Sequence, residues 1–170
     1  MDVRPESTFN GRSEVTTSPA ETTAEGVARE VRLYVFGQAA ETGRVPQPPQ
    51  IAETLRRTPL EVEGALKHLA AGRALILAPN DGNIWAANPF CAVPSGFRVL
   101  AGGKTYWGIC IWDALGICAA LGEDGVIQAV CGDCGDAMRL EVKNGELAHS
   151  EGVIHFVVPA HNFWDNIGFT

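Results

Sequence analysis

The spacing of apolar residues in the first half of the chain predicts helices. One set recurs every three or four residues between 27 and 40, on one face of an amphipathic helix: Val27, Val31, Tyr34, Val35 and Ala39. Gly43 then breaks the pattern, and a Pro-rich link leads to a short second helix that holds Ile51 and Leu55.

The third predicted helix has a defined start and end. Thr58 can accept hydrogen bonds from free backbone N–H groups, Pro59 suits the first helical position, and Glu61 completes a capping box. Gly72 ends the helix. Its buried stripe is expected to consist of Val62, Leu66 and Leu69.

A strand pattern follows these helices. Two short apolar runs, 74–77 and 84–87, flank a turn over 79–83 in which Asp81-Gly82 favours a tight hairpin. Three helices and a hairpin predict a winged-helix-like domain over 27–88. DNA binding is the weaker expectation, because Glu61 and Glu63 on the third helix offset the attraction of Lys67 and His68 for phosphates. A packing or substrate-covering role is favoured.

The second half reads as a small sheet with one central helix. Helical spacing runs from about 110 to 121. Strands are predicted at 97–100, 105–107, 126–130, 138–142 and 153–158, with glycine turns at 102–103 and 144–145. The fold class is therefore α+β, with a mixed or antiparallel sheet in a second domain over 89–170.

Composition restricts the expected cellular location of the protein and its expected binding partners. Residues 1–26 are rich in Ser, Thr, Glu and Pro and are expected to form a disordered tail. The start lacks the charged-then-apolar order of a secretory signal, and no apolar run is long enough for a membrane span. We expect a cytoplasmic protein without a membrane partner. The net charge of −7 also argues against a nucleic-acid partner.

The five cysteines point to thiol or metal chemistry rather than to a disulfide framework. Cys110 and Asp113 stand three residues apart where a strand gives way to a helix, which places both side chains on one helical face. The helix N-terminus favours a thiolate, whereas the nearby carboxylate opposes it, so the pair is expected to share a proton. The alternative from spacing alone is an inert buried thiol beside a carboxylate that satisfies backbone donors.

The other thiols and the histidines are weaker candidates. Cys118 lies eight residues after Cys110, near the same helical face, and is either a substitute metal ligand or a core residue. Cys91 either faces the site or fills space at the domain junction. His155 is expected to be a solvated or hydrogen-bonded strand residue.

Cys131-Gly-Asp-Cys134 is a single C-x-x-C, which is half of a zinc site. Structural zinc usually has four ligands, and the sequence has no second C-x-x-C. We therefore expect a reduced thiol pair at a strand turn, with metal binding by Cys131 and Cys134 as the lesser alternative and a redox role lower still.

The second half resembles the alkylmercury lyases. The match runs in order over about 85–170 through Ala87-Asn-Pro-Phe90, Phe97-Arg-Val, Gly102-Gly-Lys-Thr-Tyr-Trp107, Cys110-Ile-Trp-Asp-Ala-Leu-Gly-Ile117, Cys131-Gly-Asp-Cys-Gly135, Val153-Ile-His-Phe-Val-Val-Pro159 and Phe163-Trp-Asp165. The preceding winged-helix pattern also fits that family. An apolar pocket walled by tryptophans such as Trp112 and Trp164 would suit an organic mercurial.

The resemblance implies protonolysis of a carbon–mercury bond, giving a hydrocarbon and a bound mercuric ion without a required cofactor. Cys110 corresponds to the family's first active-site cysteine and Asp113 to its acid. Small thiols and a mercuric reductase are the implied partners for the product. The family's second active-site cysteine is expected after a segment like Ile167–Thr170, where the sequence ends. A lyase, a mercurial- or metal-binding protein without turnover, and a metal-responsive regulator therefore stay open.

Overall fold

The structure is a computed structural model that describes residues 19–148, 152–156 and 158–167. Its helices are α1 (Pro19–Thr42), α2 (Pro48–Leu55), α3 (Pro59–Ala71) and α4 (Ile111–Leu121). Its strands are β1 (Ile76–Leu77), β2 (Ile84–Ala87), β3 (Phe90–Cys91), β4 (Phe97–Ala101), β5 (Lys104–Gly108), β6 (Gly125–Val130), β7 (Ala137–Lys143) and β8 (Glu146–Leu147). A short 3₁₀ helix covers Ala160–Asp165.

The N-terminal helices agree with the sequence pattern except at the start. The predicted capping box of α3 is present, with the Glu61 N–H donating to Thr58 Oγ1 at 3.3 Å and the Thr58 N–H donating to Glu61 Oε2 at 2.8 Å. Helix α1 begins at Pro19, so the predicted disordered tail is wrong for 19–26. The packed turn at Val27 and Ala28 provides a nucleus from which the helix extends outward at little cost. The rest of the predicted tail lies outside the described residues.

Two antiparallel sheets confirm the α+β class. One has the order β1-β2-β3 and the other the order β5-β4-β6-β7-β8, and every pairing among the described strands is antiparallel. Strand β3 was not predicted. It pairs with the second strand of the predicted hairpin and extends it.

The strand predicted over 153–158 is wrong for its described residues, which are irregular. Val153 is 92% exposed, so its side chain does not pack against a sheet. Phe156 instead contacts two aromatic rings, of Trp112 and Phe163, and this clustering replaces strand pairing. His155 is exposed, but on a coil rather than on a strand.

The N-terminal helices are fixed to the larger sheet through β5. The Tyr106 hydroxyl donates to the Ala40 carbonyl at 2.8 Å. Gly43 has a φ of +73° and lies so near the sheet that a Cβ would come within 2.2 Å of the Thr105 carbonyl oxygen, so only glycine fits. One buried core continues from α1 through β7 across the predicted boundary at 88/89. The helices therefore support the strand that leads into α4.

Helix α4 packs on the larger sheet with Ala114, Ile117 and Cys118 buried. Gly125 of β6 makes room for it, because a Cβ there would approach Cys118 Sγ to 2.6 Å. Among the described helices, none is long and apolar enough to cross a membrane.

Candidate functional site

The site begins where β5 turns into α4. The strand ends at Gly108, and Cys110 is the N-cap of the helix, with its carbonyl accepting the first helical hydrogen bond from the Ala114 N–H at 3.0 Å. The chain turns so sharply that a Cβ on Gly108 would lie 2.8 Å from Ala114 N and 3.0 Å from Cys110 O. A side chain at position 108 would therefore displace the helix start and its thiol.

Ser95 braces the same junction from the loop before β4. Its hydroxyl donates to the Gly108 carbonyl at 2.5 Å and accepts from the Phe97 N–H at 3.1 Å. These two bonds hold the end of β5 against the start of β4. The backbone that presents Cys110 is thus fixed from two sides.

Cys110 and Asp113 lie together, as their spacing predicted. The Cys110 thiol donates to Asp113 Oδ2 across 3.4 Å, and both side chains are half-buried. A thiol and a carboxyl group on one helical turn can therefore exchange a proton directly and contact one bound atom.

Burial changes the proton affinity of both groups. It raises the pKa of the Asp113 carboxyl above its ordinary value, although the Cys110 thiol and the N–H groups of Cys110 and Ile109 oppose this. Burial also raises the pKa of the Cys110 thiol, and the Asp113 carboxylate adds to the increase, while N–H groups at the start of α4 oppose it. The pair therefore holds its protons more tightly than the same groups in water.

A cavity of about 870 Å³ opens over this pair. Most of its wall is apolar, and the polar side chains on it are those of Asn88, Cys110 and Asp113. The lining residues are Asn88, Ile109, Cys110, Trp112, Asp113, Phe156, Val158, Pro159, Ala160, Phe163, Trp164 and Ile167. Such a cavity suits a small ligand with an apolar body and one reactive centre.

Aromatic residues after the larger sheet form one wall of the cavity. Phe156 lies edge-on to Trp112, with ring centroids 6.3 Å apart, and 5.2 Å from the ring of Phe163. The Arg73 guanidinium, just after α3, stacks 5.6 Å from the centre of the Trp164 ring. This wall therefore contacts both α4 and the N-terminal part.

Asn88 is a polar residue of the cavity that the sequence analysis did not single out. Its Oδ1 is buried and has no hydrogen-bond partner among the described residues. An orphaned buried carbonyl costs free energy, so its position on a cavity wall suggests a donor supplied by a ligand, a water or a protonated neighbour. Asn88 carries no charge, and the only sequence feature that could have pointed to it is an amide side chain next to Pro89-Phe90.

The remaining thiols do not line the cavity. Cys91 is buried, its thiol donates to the Trp85 carbonyl at 3.7 Å, and burial raises its pKa with a smaller contribution from the Asp113 charge. Cys118 is 2% exposed in the core. Cys131 and Cys134 lie in the turn after β6, where Cys134 is exposed. In the part of the chain that the structure describes, no three His, Cys, Asp or Glu side chains form a metal-binding group.

Residues 90–170 match the alkylmercury lyase family. Ten chains of solved structures are similar to this chain. One is the crystal structure of the mercury-bound form of MerB2, which superposes with a TM-score of 0.55 over 76% of this chain and 68% of that chain, at 18% sequence identity. At this identity the likeness shows the fold. No curated protein matches the chain.

Proposed function

Because residues 90–170 belong to the alkylmercury lyase family, we propose that this chain cleaves the carbon–mercury bond of organomercurials, with Cys110 as mercury ligand and Asp113 as acid. The observation that carries the proposal is the 3.4 Å hydrogen bond from the Cys110 thiol to the Asp113 carboxylate on the wall of a mostly apolar cavity. Each step below uses these two groups.

The first step loads the substrate. Mercury is soft and prefers sulfur, so the organomercurial exchanges its leaving ligand for Cys110 Sγ. The thiol must lose its proton as the Hg–S bond forms. Asp113 Oδ2 already accepts a hydrogen bond from that thiol and takes the proton. Burial, which raises the pKa of the Asp113 carboxyl, favours keeping the proton there.

The second step breaks the carbon–mercury bond. Sulfur donation raises the electron density on the carbon attached to mercury, and protonated Asp113 delivers its proton to that carbon. The electron pair of the C–Hg bond forms the new C–H bond, and the hydrocarbon leaves. Hg(II) remains on Cys110, and the restored Asp113 carboxylate offsets its added positive charge.

The cavity wall would favour this sequence of steps. Apolar residues such as Phe156 and Phe163 hold the organic group and exclude water, which would otherwise solvate the carboxyl group. The buried Asn88 Oδ1 lies on the wall of the same cavity as Asp113 and has no partner among the described residues, so it can accept a hydrogen bond from a donor inside the cavity.

The product must leave through other thiols. Hg(II) bound to Cys110 is expected to pass to small cellular thiols and then to a mercuric reductase. Such exchange requires reduced thiols, so we place the reaction in the cytoplasm.

Residues 27–88 are proposed to form a winged-helix-like unit with a supporting role. This segment carries seven Lys and Arg residues and six Asp and Glu residues, and two of the cations form ion pairs: Arg57 with Glu30 and Glu61, and Lys67 with Glu63. A segment whose basic and acidic residues nearly balance attracts phosphates weakly, so this unit is not assigned to DNA.

The second candidate is a protein that binds mercurials without cleaving them. It is favoured by one observation: Cys110 is the one cysteine among the residues that line the cavity in the described part of the chain. One sulfur ligand is enough for capture. In that case Cys110 would retain the organic group, and Asp113 would only orient the thiol.

Hydrocarbon release separates the two candidates. The parent chain, Cys110→Ser and the core control Cys118→Ala are incubated with an organomercurial and excess small thiol. We expect release by the parent and the control, and none by Cys110→Ser. Binding by the parent without release would instead identify a binding protein.

A further inference from the structure

A second pair of thiols lies in the turn between β6 and β7. The Gly135 N–H donates to the Cys131 carbonyl at 3.0 Å, so residues 131–135 form one α-turn. The Cys131 N–H donates to the Asp136 carbonyl at 2.8 Å and closes the loop. Residues three apart on such a turn lie on the same side, which brings the two sulfur atoms together. Cys134 is exposed and Cys131 partly so.

The turn also prepares one thiol for metal binding. The backbone N–H of Cys134, followed by that of Asp133 and by the Cys134 thiol, lowers the pKa of Cys131 below its ordinary value. A thiolate is the form that binds metals. Cys131 differs in this respect from Cys110 and Cys134, whose pKa values are raised, and it is more exposed than the buried thiols of Cys91 and Cys118.

The turn lies at the same end of the sheet as Cys110. Phe97, at the start of β4, is opposite Gly108, and Arg98 is opposite Gln128. Cys110 and Cys131 thus each follow the end of a strand, on either side of β4. Two strand spacings separate these ends, which is roughly 10 Å. The two positions therefore lie near each other along the same end of the sheet.

We propose that Cys131 and Cys134 form a second, surface site that binds mercuric ion through two sulfur atoms. Hg(II) is a soft ion that is satisfied by two sulfur ligands in line, whereas structural zinc usually needs four ligands. In the described ranges no third metal-binding side chain completes a zinc site. The choice of mercuric ion over another soft ion, such as Cu(I), rests on the proposed function.

Binding and transfer balance without a further reactant. Loading replaces two S–H bonds by two Hg–S bonds and releases two protons. Transfer from the cavity breaks the Hg–S bond to Cys110 and forms bonds to Cys131 and Cys134. One of the two protons that these thiols release returns to Cys110, and the other passes to solvent. The turn would thus accept the product and free the cavity for another substrate.

The test uses mercuric chloride and the full chain in a Cys110→Ser background, which removes the cavity thiol. Titration in about millimolar glutathione is followed by sulfur-to-mercury charge-transfer absorbance and by the mercury content in native mass spectra. The arms are Cys110→Ser alone, Cys110→Ser with Cys131→Ser, and Cys110→Ser with Cys118→Ala as a matched control. Circular dichroism confirms that each variant is folded.

We expect one tightly bound Hg(II) in the background and control arms. Removal of Cys131 should weaken retention about a hundredfold, because the second sulfur contact is intramolecular. Equal retention without Cys131 would overturn the site. Preferential binding of zinc or Cu(I) over Hg(II) in parallel titrations would also overturn it. Hydrocarbon release by the parent is measured separately, so a failed lyase and a failed surface site give different results.

Discussion

Replacing Asp113 by Asn should lower the pKa of the Cys110 thiol. The carboxylate oxygen lies 3.4 Å from the sulfur, and its negative charge disfavours the thiolate. At that distance two unit charges interact by about 1 kcal/mol in water and about 5 kcal/mol at an effective dielectric constant of about 20. Because both groups are only half-buried, we take the lower end. The pKa of Cys110 should then fall by about one unit.

The assay is the rate of Cys110 alkylation by iodoacetamide as a function of pH, measured by mass spectrometry of the peptide that contains it. The midpoint of the profile should move down by about one unit in Asp113→Asn. Below the midpoint the rate should rise only about three- to fourfold, because a less basic thiolate is also a weaker nucleophile. An unchanged midpoint, or one that moves up, would refute the charge coupling. His68→Ser, an exposed change on α3, serves as control.

Four further predictions test the fold and the site. Gly108→Ala should cost about 1–3 kcal/mol of unfolding free energy in urea, because its Cβ meets backbone, whereas Gly37→Ala in an open helical position should gain up to about 1 kcal/mol. Tyr106→Phe should lose about 1 kcal/mol in the same assay, because the Ala40 carbonyl loses its donor. Burial raises the pKa of Asp113, so the contribution of this side chain to stability is present at low pH and is lost as pH rises through its folded-state pKa. The melting temperature of Asp113→Asn should therefore rise relative to that of the parent between pH 4 and pH 8. Phe156→Ala should raise KM for aryl mercurials more than it lowers kcat, because it removes apolar cavity wall and leaves both groups that transfer the proton in place.

Local patterns were enough to predict the four helices, apart from the start of α1, and the proximity of Cys110 and Asp113. The capping box of Thr58 and Glu61 is a short-range hydrogen-bond motif, and the structure has it in place. The three-residue spacing of Cys110 and Asp113 placed the two side chains on one helical turn, and their hydrogen bond follows from that geometry. Both inferences needed only residues that are close in sequence.

Long-range packing decided what the pattern could not predict. The run that begins at Val153 has the apolar composition of a strand, but its described residues are irregular, and Phe156 packs on Trp112 of α4. Asn88 and Trp164 reach the cavity only because the chain folds back on itself. The eight-residue spacing from Cys110 to Cys118 was compatible with a shared face, yet the close approach of Gly125 places Cys118 in the core.

The most direct test of the central claim is single-turnover hydrocarbon release by the parent chain and by Asp113→Asn, with mercurial binding to Cys110 measured in parallel. The account predicts that both chains bind the mercurial, that the parent releases one hydrocarbon per chain, and that the variant releases it at least about a hundredfold more slowly, because its proton donor is gone. Equal rates of release from the two chains would contradict the assignment of Asp113 as the acid.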